Sequence, residues 1–275
     1  GSMLRGGALE LEVTAAVAGI LCLTTFLAGG VNGALGYGFS SMTVPVALLY
    51  FPNRVLNPAL VLIEVVVNGT NAVINRRDAF KVLRRVLPVL VGVLPGVILG
   101  GYLIFRLSPD VVRLCTYLIL LPFVLLQAGG LRRPISREAA AAVPFGFGVG
   151  ALYAVTTISG PPLALMLNNQ GLDKKEFRAA LAIIRLAESF ITTVLYYRMG
   201  LFTSTTFALL GHMAPGALLG LPLGAYLIKR MDSETFRRVC MSFDAWVIGL
   251  GISKSLVALR LAVQPAAFAP LVAVI

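Results

Sequence analysis

Long stretches without a single charged residue alternate along this chain with short clusters of Lys and Arg. Residues 13–53 form an uncharged run of 41, residues 139–172 one of 34 and residues 86–105 one of 20. A membrane-crossing helix needs about 20 apolar residues, so the two longest runs must break, turn or re-enter. None of the runs alternates apolar and polar positions as a half-buried strand does, and lipid admits only helices or closed barrels as spanning elements. The pattern predicts an all-α, polytopic integral membrane protein. Its segments are expected at 11–30, 37–51, 56–75, 86–105, 111–128, 139–157, 160–170, 178–198, 205–228 and 236–258. Segments 37–51 and 160–170 are short and follow glycine-rich or polar breaks, so broken or re-entrant helices are expected near the centre.

The segments fall into two related halves. Gly101-Tyr102-Leu103-Ile104-Phe105-Arg106 matches Ala225-Tyr226-Leu227-Ile228-Lys229-Arg230, with Arg113 and Arg237 following at one offset. Pro95-Gly96 matches Pro215-Gly216, and the stretch 40–45 matches 156–161. Several matches in the same order indicate duplication. The basic bias between segments reverses from one half to the other. Residues 76–85 hold five Lys/Arg and their counterpart 198–204 one, whereas 106–113 hold two and 229–238 four. Arg54 alone in 52–57 faces Lys174, Lys175 and Arg178 in the counterpart 173–178. Cytoplasmic loops carry the excess of Lys and Arg, and five-segment halves in inverted orientation give this alternation. The expected layout is a cloning scar at 1–3, a first membrane repeat at 4–128, a cytoplasmic linker at 129–138, a second repeat at 139–260 and a tail at 261–275. The loops 76–85, 129–138, 173–178 and 229–238 are then cytoplasmic and both termini lie outside.

Composition narrows the function classes. Charged residues make up 13% and hydrophobic residues 58%, and the mean hydropathy is +0.89; a soluble domain carries about 25% charged residues. The net charge of +11 is accounted for by loop bias rather than by a nucleic-acid surface. Cys22, Cys115 and Cys240 lie far apart in apolar segments, so neither a disulfide framework nor a metal cluster is expected. His212 is the single histidine and reads as a core residue. With no nucleophile–base pair, an enzyme is disfavoured, and no cofactor or metal is expected.

Candidate chemistry gathers at the breaks and on the segments after them. The first break is a glycine-rich stretch, 29–41, with Asn32, Gly36, Tyr37, Gly38, Ser40 and Ser41, and Thr43 just beyond; the second offers Thr156, Thr157, Ser159 and Gly160 ahead of Pro161-Pro162. A helix start exposes N–H groups that suit an anion, helped by nearby hydroxyls. The alternative is that the glycines let helices pack closely. Glu64, Asn68 and Asn71 share one helix face at i, i+4, i+7, and the repeat places Arg185, Ser189 and Thr192 at the equivalent positions. An intramembrane charge is costly and marks a functional position by default. Arg185 can hold an oxyanion with a planar set of donors, and Glu64 and Glu188 are candidates to carry a proton. The alternative for Arg185 and Glu188 is a structural i,i+3 ion pair.

At these residues the chain resembles the TauE/SafE family of sulfite and organosulfonate exporters. The resemblance rests on Gly33-Ala34-Leu35-Gly36-Tyr37-Gly38-Phe39 running to Pro45, on Ser159-Gly160-Pro161-Pro162, on Asn168-Asn169-Gln170-Gly171-Leu172 and on Pro215-Gly216-Ala217-Leu218-Leu219-Gly220, and it spans about residues 13–258. It implies a secondary transporter moving sulfite or a small sulfonate, most often outward, across the bacterial inner membrane. An importer of another small anion and a passive anion channel remain alternatives. The expected partners are a small anionic substrate, membrane lipid and, as an open alternative, a second copy of the chain in a homodimer; nucleic acid is not among them.

Overall fold

The computed structural model describes residues 14–128, 138–168, 172–227, 248–249 and 251–259. Within them lie nine helices: α1 (Ala15–Leu35), α2 (Phe39–Ala47), α3 (Asn53–Ile74), α4 (Arg76–Arg106), α5 (Pro109–Ala128), α6 (Glu138–Thr156), α7 (Gly160–Asn168), α8 (Lys174–Arg198) and α9 (Ser204–Leu227). A further helical stretch covers 251–258, and no strand occurs among the described residues. Five helices, α1, α3, α4, α8 and α9, are long and apolar enough to cross a membrane. The chain is a multi-pass membrane protein. The cloning scar, most of the 129–138 linker, most of segment 236–258 and the 261–275 tail lie outside the described residues.

The expected segments appear with shifted ends, and the shifts have physical causes. The basic run 76–85, expected as a loop, forms the opening turns of α4, because Arg and Lys are good helix formers and its five cations are all exposed. The 31 residues of α4 span about 46 Å at 1.5 Å each. That exceeds a hydrocarbon core of about 30 Å, so the helix reaches beyond the apolar layer. The loop expected at 173–178 is likewise mostly helix: Asp173 caps α8, accepting from the N–H groups of Lys175 and Glu176 while the Glu176 side chain returns to the Asp173 N–H. His212 is exposed on α9 rather than buried. With nine residues each, α2 and α7 reach about 14 Å, half a bilayer core.

Two glycine seams hold the long helices together. On α4, a Cβ at Gly92, Gly96 or Gly100 would fall on the carbonyls of Val143, Phe147 and Ala151 of α6; on α9, a Cβ at Gly216, Gly220 or Gly224 would fall on those of Cys22, Phe26 and Gly30 of α1. Glycines answer from the facing helices, Gly146 and Gly150 against α4, Gly29 and Gly33 against α9. Small residues at this spacing let backbones approach closely where lipid supplies no hydrophobic drive for association. Gly29, Gly33, Gly146 and Gly150 therefore belong to packing seams inside continuous helices. The opposite side of α4 presents Leu87, Val91, Leu94 and Ile98, all at least half exposed, as a lipid-facing stripe does.

The buried apolar residues form two main clusters. One joins α1, α2, α3 and α9 with Tyr117 of α5 and residues 248 and 252; the other joins α4, α6, α7 and α8. Each lobe thus contains one seam, α1–α9 or α4–α6, and the lobes meet where α3 packs on α8.

Candidate functional site

The polar side chains buried between the lobes converge on two carboxylates. Glu64 of α3 is fully buried. Its Oε1 accepts from Ser40 Oγ at 2.5 Å and from Arg185 Nη2 at 2.5 Å, and its Oε2 accepts from the Tyr153 hydroxyl at 2.5 Å. Arg185 is 1% exposed and pairs with Glu64 rather than with Glu188; among the described residues the other ion pairs are partly exposed i,i+3 contacts. The i,i+3 alternative for Arg185 and Glu188 is therefore not what forms. Glu188 instead accepts from Ser159 Oγ at 2.5 Å on Oε2, while its Oε1 has no partner. Each break thus contributes a serine to a carboxylate on the long helix that follows it.

The backbone explains why the serines arrive there. The α1 helix ends at Gly36 (φ 84°), and Gly38 (φ 106°) opens α2. Both values lie in the left-handed region that glycine adopts without a Cβ clash. Tyr37 between them is buried, with its ring edge-on to Phe177 at 6.5 Å. At the second break the left-handed residue is Thr157 (φ 59°), held by its N–H to Tyr153 O at 2.6 Å and its hydroxyl to Thr156 O at 2.6 Å. Thr156 Oγ1 accepts from Ile158 N at 3.0 Å and donates to Leu152 O at 2.8 Å.

The two short helices differ as anion binders. Phe39, Ser40 and Ser41 at the start of α2 all carry backbone N–H groups. The first three residues of α7 are Gly160, Pro161 and Pro162, and proline carries no N–H. Pro161 and Pro162 suit the first turn of a helix but leave Gly160 alone to offer a donor there, so of the two helix starts only α2 keeps an N–H on each of its first three residues.

The remaining candidate residues fall in place as follows. Asn68 Nδ2 donates to Arg185 O at 3.5 Å, and Ser189 Oγ donates to the same carbonyl at 2.8 Å. Asn71 Nδ2 donates to Asn32 Oδ1 at 2.9 Å as a separate α3–α1 pair. Ser41, Thr43 and Thr192 are buried, and the hydroxyls of Thr43 and Thr192 have no partner. Two donors of Arg185, Nε and Nη1, are also buried without a partner. A buried donor left unmade costs about 1–3 kcal/mol, so the arrangement is not one that stability alone favours.

Several side chains at the site escape a reading based on charge and glycine. Tyr153, Tyr196, Asn53 and Asn57 carry no charge and sit in no motif. Tyr196 OH donates to Ala154 O at 2.5 Å, and the amides of Asn53 and Asn57 donate to Val155 O at 3.2 and 2.7 Å, closing the end of α6. The i,i+4 asparagines on one face of a membrane helix were the signal available for them.

The family model described as Sulfite exporter TauE/SafE matches residues 21–250. The chain belongs to the TauE/SafE sulfite exporter family. The match covers both breaks, both seams and every residue around Glu64, Arg185 and Glu188. Comparison with curated proteins and with solved structures gives no match. Membership makes this a membrane transporter family chain and implies a small anionic substrate, which Arg185, Ser40 and the start of α2 have the chemistry to meet.

Proposed function

We propose that this TauE/SafE chain is a secondary transporter that carries sulfite or a small organosulfonate outward across the bacterial inner membrane. Arg185 carries the reading: a guanidinium buried in the middle of a spanning helix, with Nε and Nη1 unpartnered. Ser40, Tyr153 and Arg185 already close around one oxyanion, the Glu64 carboxylate, so donors suited to an oxyanion group are assembled there. The substrate takes the free Arg185 donors, with the α2 N–H groups and the hydroxyls of Thr43 and Thr192 alongside.

Alternating access then consists of rocking the α1–α9 lobe against the α4–α6 lobe, which parts Glu64 from Arg185. The reciprocal seams support this, because each half of the chain lends one helix to the other lobe and neither half forms a lobe alone. Opposite orientation of the halves, with both termini outside, follows from the loop charges. At about −100 mV, moving one negative charge out of a negative interior is favoured by about 2.3 kcal/mol, which gives export its direction without a nucleotide. Glu64 and Glu188 are the groups through which a proton could be coupled.

The test is binding of sulfite, sulfate, thiosulfate and small sulfonates to purified protein and to Arg185→Gln. Wild type should bind a sulfur oxyanion and the variant should not; an unchanged affinity in a folded Arg185→Gln protein removes the site. Flux from sealed vesicles under an imposed potential decides between export and import, and saturable counterflow against unitary currents decides between carrier and channel.

A further inference from the structure

The helix ends that precede the two breaks are closed by different chemistry. At the end of α1, the carbonyls of Gly33 and Ala34 accept from the guanidinium of Arg178, which reaches across from α8. At the end of α6, the side chains among the described residues that donate to Ala154 O and Val155 O are neutral, the Tyr196 hydroxyl and the Asn53 and Asn57 amides. The C-terminal end of a helix carries about half a negative charge. One end therefore has a cation hydrogen-bonded to it, and the other, among the described residues, has neutral donors.

The protons of these donors are all committed. Asn57 Nδ2 donates to Val155 O and lies 3.4 Å from Tyr196 OH, and Tyr196 gives its own proton to Ala154 O. Asn53 Nδ2 donates to Val155 O and lies 3.5 Å from Thr116 Oγ1, whose proton goes to Val112 O. What remains is acceptors. Asn53 Oδ1 and Asn57 Oδ1 have no hydrogen-bond partner, in residues 1% and 0% exposed. Turning either amide over would set its oxygen against the Val155 carbonyl, so the network fixes the orientation. The two asparagines are one helical turn apart on α3 and rest on the same oxygen, which sets their amides side by side.

We propose that the end of α6 binds a small monovalent cation of the Na+ type, liganded by Asn53 Oδ1 and Asn57 Oδ1, which supplies there the charge that Arg178 supplies permanently to α1. Neutral hard oxygens at a helix end suit a monovalent ion; Ca2+ and Mg2+ sites are built on carboxylates, and no group of three His, Cys, Asp or Glu among the described residues could hold a metal. The site adjoins the anion machinery, since α6 carries Tyr153 against Glu64 and leads directly to Ser159 against Glu188. As a coupling ion it rests on the transport reading above; as a binding site it does not.

The experiment is thermal unfolding of the purified full-length chain in detergent, without sulfur anions, with NaCl, KCl, LiCl and choline chloride compared at one chloride concentration and pH. Na+ should raise the wild-type Tm saturably over choline. Asn53→Ala and Asn57→Ala should each abolish that rise, and Asn57→Arg, copying Arg178, should unfold at one temperature in all four salts. An identical wild-type Tm in every salt overturns the proposal and makes the two oxygens water acceptors, and so does a Na+ effect that survives undiminished in both alanine variants. Should Asn57→Arg not fold, the alanine pair decides. Failure to bind sulfite together with a retained Na+ response would sink the substrate and leave the cation site standing.

Discussion

The end of α1 and the end of α6 occupy equivalent places in the fold, each locked by a glycine seam, each stopped by a left-handed residue and each followed by a half-length helix. Their chemistry is opposite. Around the first lie Arg178, the N–H groups of α2 and Ser40, whose hydroxyl donates to Glu64; around the second lie two prolines without N–H groups, two unpartnered asparagine oxygens and a Glu188 oxygen that also lacks a partner. One break is rich in donors and the other in acceptors. The lesson is that the two breaks are alike where they pack and unlike where they face the centre, and a difference between two similarly built positions points to chemistry better than likeness does.

The largest expected effect lies where the two breaks meet. Arg185→Met strands the buried Glu64 carboxylate, and breaking a buried pair by removing one partner costs about 3–5 kcal/mol. Unfolding of the single variant in detergent should show a loss of that order. Adding Glu64→Gln, which keeps an acceptor and a donor near Ser40 and Tyr153, should recover most of the stability without restoring anion binding. A double variant as unstable as the single one would show that Arg185 acts through packing and not through its charge.

The scaffold half of the comparison is tested by the seams. Gly96→Ala and Gly220→Ala each place a Cβ on a facing carbonyl, and overpacking of this kind costs about 1–3 kcal/mol. Equal losses in the two would confirm equivalent seams. Gly148→Ala meets nothing within 4 Å and should leave stability unchanged or raise it by up to about 1 kcal/mol, the helix propensity difference.

Much of this architecture is legible in the sequence. Uncharged length marked the crossings, and the short pieces at 37–51 and 160–170 anticipated α2 and α7, because nothing else fits a glycine or proline break inside an uncharged run. The glycines were less legible. A seam glycine and a break glycine look alike in sequence, yet Gly36 and Gly38 have positive φ while Gly29, Gly33, Gly146 and Gly150 face carbonyls. Charge counting also assigned Arg178 to a cytoplasmic loop, whereas its guanidinium turns inward to the end of α1. Asn53 and Asn57 left only their i,i+4 spacing as a signal, and Tyr153 and Tyr196 left none, because a neutral polar residue in an apolar segment has little signature until its partner is known.

An effect of similar size separates the charged cap from the neutral one. Arg178→Ala removes a charged donor from the end of α1, with an expected loss of about 1.5–3 kcal/mol, and Tyr196→Phe removes a neutral donor from the end of α6, with about 0.5–1.5 kcal/mol. Arg178→Lys should recover part of the first loss, since it keeps the charge but not the planar reach. Equal losses from Arg178→Ala and Tyr196→Phe would mean that charge at the α1 end is incidental.

The smallest effect concerns the residues that turn the chain. Left-handed backbone costs a residue with a Cβ about 1–2 kcal/mol, so Thr157 at φ 59° carries a strain that Gly36 avoids. Thr157→Gly relieves it but loosens the unfolded chain, which offsets about 0.4–1 kcal/mol, and it loses the hydroxyl bond to Thr156 O. The net change should be within about 1 kcal/mol of zero. Gly36→Ala has no such compensation, because alanine resists φ 84°, while the added Cβ reaches only ordinary contact with the Arg178 side chain at 3.5 Å. It should lower stability by about 1 kcal/mol, and by the same amount in the Arg178→Ala background. Thermal unfolding of the three proteins measures the difference, and a Gly36→Ala cost that falls without Arg178 would tie the turn at the first break to the cation that closes it.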